Sequence, residues 1–380
     1  MKKNIIMILE QDLIYPYLDI RPYKEAETLK KSGYDVDFLT WNFFTQNYYQ
    51  SIEEYKGFRI FRLQYKKLNK FVSAFQYCLC FINTFLHIKK NKYDIIHCHD
   101  TLPLLCSFLA KIILGKKLVY DAHELSTEMG KPRIISVYFK FVEYLTCRYW
   151  DLLITTNKQR TAVMLNRYQI TDINSIILNN YPKLDYYNFL NIEKKTDLLK
   201  ILYQGEISKK RETDKLIKTF KNLKISYKLL LIGKCKDEMY FKQIIKNYGL
   251  EDKVSLLQPL VNTELHKIMK ISHIGIISLD MNILNNELCE PNKLYEYLLF
   301  GMSVIMPNCQ HFYQMSMEFP DKAIQFYDEI YEVSTLINRI DIDILCNLSQ
   351  INSDIIQNKY LWNNIEDKLI NKYNTLFGNI

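Results

Sequence analysis

Glycine is scarce in this chain: 10 of 380 residues. No G-x-G-x-x-G follows any apolar run, so the fingerprint of a dinucleotide-binding enzyme is missing. The loop after the first apolar run reads Glu10-Gln11-Asp12-Leu13-Ile14-Tyr15-Pro16, without a single glycine. A Walker phosphate loop is absent as well, which removes nicotinamide redox chemistry and P-loop ATPase chemistry from the expected classes. Paired cysteines are also lacking. The nine cysteines stand at 78, 80, 98, 106, 147, 235, 289, 309 and 346. An odd number without a repeated spacing argues against a disulfide framework and for a reducing cytoplasm. Cys78-Leu79-Cys80 and His97-Cys98-His99-Asp100 have no second half at a zinc-like spacing, so no metal is expected. Nor is there a long clean apolar run. The run at 4–9 stops at Glu10, too short for the core of a signal peptide. The stretch 71–88 comes nearest to a membrane span but is broken by Ser73, Gln76, Asn83, Thr84 and His87.

Acidic residues are missing from 55 through 93, where nine lysines and arginines flank an apolar, aromatic run. Through Leu190 there are 26 Lys/Arg against 18 Asp/Glu, and beyond it 24 against 24, so the whole net charge of +8 lies in the N-terminal half. Such a half suits an anionic partner. Two readings of 55–93 stay open: an element that meets an anionic membrane surface, or a core helix with lysines at its ends. No recognition motif accompanies the charge, so nucleic acid is not an expected partner.

The length suits two domains. Short β-rich runs alternate with helical patterns: strands over 4–9, 35–40, 58–63, 93–97, 117–121 and 152–155, with helices over 22–32, 71–90, 102–114 and 134–149. The pattern loosens after Tyr181-Pro182 and then restarts, with strands over 200–203, 227–232, 254–257, 274–278 and 303–306 between helical segments. Beyond Asp328 the chain reads as helical. Repeated βα units favour parallel sheets covered on both faces. The expected division is a first α/β domain over 1–185, a linker over 186–198, a second α/β domain over 199–355 and a C-terminal helix over 356–380. In doubly wound sheets, ligands bind beyond the carboxyl ends of the strands.

Two stretches there carry chemistry. In Glu290-Pro291-Asn292-Lys293-Leu294-Tyr295-Glu296, Asn292 reads as a helix N-cap and Gly301 as the stop. The first amides, near Asn292, Lys293 and Leu294, would face a diphosphate, and Glu296 could accept from a ribose diol. The other reading is a capped core helix with Glu296 on its solvated side. In Gly205-Glu206-Ile207-Ser208-Lys209-Lys210-Arg211, the glycine permits close approach of a ligand, and Arg211, with the fork suited to phosphate, or Lys209 or Lys210 could neutralise a diphosphate. The plain alternative is a solvated basic loop. His123 follows a strand end in the first half, and His99 lies in the polar tip after another. Asp-x-Asp appears at 35–37 and 341–343, in a strand and in the helical tail, where both read as structural.

With these residues the chain resembles the family 4 retaining glycosyltransferases of the GT-B fold, in the branch with a Pro-Asn-Lys-Leu-aromatic-Glu-Tyr signature. The resemblance runs over nearly the whole chain. It includes Asp19-Ile20-Arg21, the run from Asp94 to Asp100, Tyr120-Asp121-Ala122-His123-Glu124, and Trp362 with Tyr373 in a closing helix. It implies two Rossmann-like doubly wound domains facing across a cleft, and a nucleoside diphosphate sugar as substrate with no separate cofactor. It implies a donor site of Gly205, Arg211, Glu290, Asn292, Lys293, Leu294 and Glu296, with His123 near the transferred sugar. On the acceptor side it implies Asp19, Arg21, His99 and Glu124, and a saccharide or lipid-linked acceptor. Three departures stand out: Leu288 where the family carries the first Glu of Glu-x7-Glu, Glu206 where an Arg is common, and no glycine pair in the first loop. The competing classes are a non-catalytic module of the same fold and, further off, a sugar-nucleotide epimerase.

Overall fold

The structure, a computed structural model, describes residues 3–13, 20–45, 50–66, 70–171, 173–187, 192, 194 and 198–377. It divides into two compact units: Met1–Asn179 with Ile365–Ile380, and Asn180–Asn364. The return to the first unit thus comes at Ile365 rather than at 356. The helix Ile342–Lys359 stays with the second unit because Ser353 and Asn352 bond the carbonyls of Leu299 and Met302. The linker expected over 186–198 lies largely outside the described residues, and so does Asp19.

The first unit runs β1 (Asn4–Leu9), α1 (Ile20–Lys31), β2 (Asp35–Thr45), β3 (Ile52–Tyr55), β4 (Phe58–Lys66), α2 (Lys70–Lys90), β5 (Ile95–His99), α3 (Leu104–Leu114), β6 (Lys117–Ala122), α4 (Arg133–Thr146), β7 (Leu152–Thr155), α5 (Lys158–Tyr168) and β8 (Ser175–Ile177). Its eight strands lie in the order β3-β4-β2-β1-β5-β6-β7-β8. All pairs are parallel except β3 with β4. β1 and β5 are buried along nearly their whole length, as central strands covered on both faces must be. β3, with Glu53 and Glu54, alternates exposed and half-buried, the pattern of an edge. The chain moves one way from β1 to β2 and the other way from β4 to β5. With right-handed crossovers this puts α1 on one face and α2 to α5 on the other. The order reverses between β1 and β5, so the crevice of this unit opens at their carboxyl ends. β5 extends to His99, two residues beyond the expected strand end, which takes that histidine into the sheet.

The second unit runs β9 (Leu199–Gln204), α6 (Thr213–Thr219), β10 (Tyr227–Ile232), α7 (Glu238–Asn247), β11 (Val254–Leu257), α8 (Asn262–Ile271), β12 (Ile274–Ile276), α9 (Leu284–Glu287), α10 (Asn292–Leu299), β13 (Ser303–Pro307), α11 (Gln310–Ser316), β14 (Ile324–Tyr327), α12 (Glu332–Asn338) and α13 (Ile342–Lys359). Its strand order is β11-β10-β9-β12-β13-β14, all parallel, with the reversal between β9 and β12. The polar stretch 280–290, expected as loop, contains the short helix α9. The last helix, α14 (Glu366–Thr375), packs on α1 in the first unit. Both Asp-x-Asp pairs are structural: Asp37 takes the Arg59 fork at 2.9 and 2.6 Å, and Asp341 caps α13.

Candidate functional site

In the second unit the donor candidates gather where β9 ends and α10 begins. Gly205 follows the strand with φ +150°. Gly233, just past β10, lies so close to it that a Cβ there would sit 1.6 Å from the Gly205 carbonyl oxygen. Only glycine lets these two loops meet. The Gln204 amide donates to the Tyr297 hydroxyl at 3.0 Å and ties the strand end to α10. Lys293 reaches back over the same spot, its ammonium 3.2 Å from where a Gly205 Cβ would be.

Helix α10 starts without a side-chain cap. Asn292, expected as the cap, is the first helical residue. Pro291 takes the cap position with an extended backbone, and its carbonyl accepts from the Leu294 amide at 3.1 Å. The amides of Asn292 and Lys293 are therefore the ones left without intrahelical acceptors. Burial pushes the Lys293 ammonium below its usual pKa, and the nearby Arg211 pushes further, against Glu296. Two cations and a helix N-terminus meet at one place, and a bound anion would relieve all three. Arg211 closes the turn Lys209–Arg211, and its carbonyl accepts from Ser278 Oγ at 2.5 Å. Glu206 is exposed. Glu296 is half-buried and accepts from the Tyr187 hydroxyl at 3.1 Å.

Glu290 departs from its expected role. Its carboxylate is buried and held by the Tyr295 hydroxyl and by His311 Nε2 at 2.8 Å, while its carbonyl accepts from Asn180 at 2.7 Å. It fastens the segment ahead of α10 rather than presenting a carboxylate.

In the first unit, the reversal point holds a chain of buried charges. His97 and His99 alternate on β5 with one residue between them, so their rings stack at 4.2 Å on one face of the sheet. The register sets His99 opposite Asp121 on β6. From α1, Arg21 grips both oxygens of Asp121 at 2.9 and 3.3 Å and donates to the Leu178 carbonyl at 2.8 Å. Glu25, one turn on, lies 3.3 Å from Arg21 with its side chain fully buried. Arg21 and His99, expected at the acceptor, are thus interior. Their polar atoms serve Asp121 and His123, which a sequence cannot show without the sheet register. His99 Nδ1 lies 2.9 Å from His123 Nε2, and that nitrogen is 3.1 Å from Asp121 Oδ2. On its other side His123 Nδ1 looks toward Asp100 Oδ2 at 3.5 Å, too long for a firm hydrogen bond.

The electrostatics separate these groups. Burial pulls the His123 imidazole down, but Asp100 and Asp121 outweigh it and hold the ring up at about 10. Burial, helped by His97 and His123, pushes His99 well below its ordinary value. Asp121 stays well below the usual carboxylate range, because Arg21 and His123 overcome its burial. Burial and Asp121 raise Glu25 well above it. At neutral pH the cluster therefore holds an imidazolium at His123, a neutral His99 and an ionised Asp121. Asp100, raised by burial to about 7, sits in the left-handed region at φ +60°. A non-glycine residue held there marks a backbone over-determined by its surroundings.

Glu124, next to His123, is half-buried and faces Glu10, whose pKa is raised by burial against the pull of Lys131 and His123. Asp121, Glu25 and Glu10 were not singled out by sequence. The signal for Asp121 was its place two residues before His123 at a strand end, and for Glu25 its i,i+4 spacing from Arg21. Among the described residues, Glu25, His97, His99 and Asp121 bring ligand-type atoms within 4.8 Å of one another.

Residues 23–180 match the model of Glycosyltransferase Family 4, and residues 188–312 match that of Glycosyl transferases group 1. The chain is a glycosyltransferase of the GT-B fold, of the family 4 and group 1 type. Solved structures resemble it along its whole length. Sucrose-phosphate synthase from Thermosynechococcus elongatus superposes with a TM-score of 0.81 at 16% identity, covering 99% of each chain. Anabaena HepE in complex with UDP and glucose gives 0.70 at 13%, covering 98% of this chain and 99% of that one. A glycosyltransferase from Rickettsia africae gives 0.70 at 14%, covering 100% of both. No curated protein sequence matches the chain significantly.

Among the described residues no helix is long and apolar enough to cross a membrane.

Proposed function

We propose that this glycosyltransferase moves a hexose-type unit from a nucleoside diphosphate sugar to a saccharide, free or carried on a lipid, with retention at the anomeric carbon and without an essential metal ion. The observation that carries this reading is the uncapped start of α10 with Arg211 and Lys293 crowded against it. In the transfer, the bond from the sugar's anomeric carbon to the diphosphate oxygen breaks and a bond to the acceptor oxygen forms. The acceptor's proton leaves with the departing phosphate. Charge develops on the diphosphate, where the amides of Asn292 and Lys293 and the two cations stabilise it without reorganising. This supports the metal-free reading, since the positive charge a divalent ion would bring is already built in. Glu296, steadied by Tyr187, takes the ribose hydroxyls. His123, cationic at neutral pH, acts as a hydrogen-bond donor and fixed charge rather than as a base. UDP is the first nucleotide to try, since HepE of the same fold was solved with UDP and glucose.

Calorimetry with UDP tests the donor site. Glu296→Ala should weaken binding about tenfold, the loss of one good charge-assisted hydrogen bond or slightly more. Unchanged affinity would remove Glu296 from the site. Transfer that persists in excess chelator supports the metal-free route, and strict dependence on Mg²⁺ or Mn²⁺ would end it.

A further inference from the structure

Helix α4 carries two apolar stripes where a surface helix needs one. Phe139, Val142 and Thr146 face inward, joined by Glu143, which the hydroxyls of Thr101, Tyr120 and Tyr168 satisfy. On the opposite side Ile134, Val137, Phe141 and Tyr144 recur at helical spacing and stand in solvent, at 80%, 56%, 59% and 68% exposure. Scattered single apolar residues on a surface need no explanation, but a contiguous stripe does. Arg133 and Lys140 run along one edge of it, and Arg148 follows its end.

The neighbouring helices continue the same surface. α4 packs on α3 and α3 on α2, all on one face of the sheet. α3 exposes Ile112 and Ile113 near Lys116, and α2 exposes Phe75, Ile82 and Leu86, again spaced for one side. Among the residues of α2, α3 and α4 the one carboxylate is Glu143, and it is buried. The outward surface of the three helices is therefore apolar and basic; Glu128, in the turn Ser126–Glu128 packed against α4, is matched by Lys140 at 3.1 Å and Arg167 at 2.7 Å.

We infer that this face, centred on α4, docks on an anionic lipid bilayer, its apolar stripe entering the headgroup boundary and its arginines and lysines meeting lipid phosphates. Charge argues for this occupant over a second copy of the chain, because self-association would press Arg133, Lys140 and Arg148 against their own counterparts. The inference extends the surface past the basic 55–93 stretch, to a helix whose Glu143 hides the pattern in the sequence. It does not depend on the donor-site reading, since binding to vesicles needs no turnover.

The test uses the full chain and vesicles of phosphatidylcholine with or without phosphatidylglycerol. The protein should sediment with the anionic vesicles at low salt and release as salt rises. Phe141→Ser with Tyr144→Ser should cut the partition at least about tenfold, and Arg133→Glu should steepen the loss, while UDP affinity stays unchanged. As a measurement that keeps the fold intact, Phe141→Trp should show a blue-shifted emission on addition of the anionic vesicles. Absence of binding, wild-type partition of the serine variants, or an unshifted Trp emission would each overturn the proposal. So would a dimer in sedimentation velocity that the serine variants abolish while no vesicle is bound.

Discussion

Replacing Arg21 by Met decides whether that residue is an acceptor ligand or an internal counter-charge. The hydrogen bonds of the guanidinium in the interior include two to Asp121 and one to the Leu178 carbonyl. Methionine fills most of the volume but leaves the Asp121 carboxylate buried with only the His123 side to answer it. Breaking a buried pair by removing one partner costs about 3–5 kcal/mol, and the stranded carbonyl adds about 1 kcal/mol. Global unfolding of a two-unit chain would blur this, so the assay is amide exchange resolved by segment. Protection over β5 and β6 should fall by roughly three to four powers of ten, while segments of the second unit and its UDP affinity remain as they were. Adding Asp121→Asn should restore part of the protection, because the orphaned charge disappears with it. Protection reduced less than tenfold, together with a selective loss of acceptor affinity, would refute the internal role.

The charge state of His123 is open to direct measurement: its ring should still be protonated at pH 8 by NMR titration, and a midpoint near the ordinary 6.5 would contradict the carboxylate pairing. The linked effect on stability is fully present below the unfolded value and disappears as pH rises through about 10. Asp121, held low, contributes in the opposite sense: its stabilisation is present above the usual carboxylate range and is lost on acidification. Lys293→Met should raise the stability of the ligand-free protein, since burial and Arg211 both disfavour the ammonium, yet weaken UDP about tenfold; a loss of both would mean the lysine is purely structural. Gly233→Ala should unseat the Gly205 loop and reduce both the melting temperature and UDP affinity, and wild-type behaviour would show that the two loops are freer than their 1.6 Å conflict implies.

The alternation of β and α runs was readable because the central strands are nearly continuous apolar segments and the helices are periodic. β3 escaped notice because Ile52-Glu53-Glu54-Tyr55 carries two glutamates, acceptable only at an exposed antiparallel edge. β8 and β14 are edge strands, mostly half-buried, and lack the continuous apolar burial of the central ones. At the candidate donor site the structure brings together the two segments singled out in the sequence, 205–211 and 291–296. The sequence misassigned Asn292 because proline and asparagine both suit a helix start, and Glu290 because its partners Tyr295 and His311 come from two different helices. The first-unit network was the least legible part. A single arginine or histidine reads as exposed until the pairing of β5 with β6 and the seat of α1 above them place Arg21, His99 and Asp121 together.

The closing helix also constrains how the chain comes to be folded. Tyr373 is buried with its hydroxyl 2.7 Å from His97 Nδ1, Glu366 accepts from Thr28 at 2.8 Å, and Asn374 accepts from Tyr34 at 3.0 Å. The histidine pair at the heart of the first unit thus waits for residues synthesised after the whole of the second. At about 5–20 residues per second, making Asn180–Asn364 takes roughly 10–40 s. During that interval the polar side of α1 has no cover and His97 no hydroxyl partner. The second unit is therefore synthesised before the buried histidines of the first can be covered.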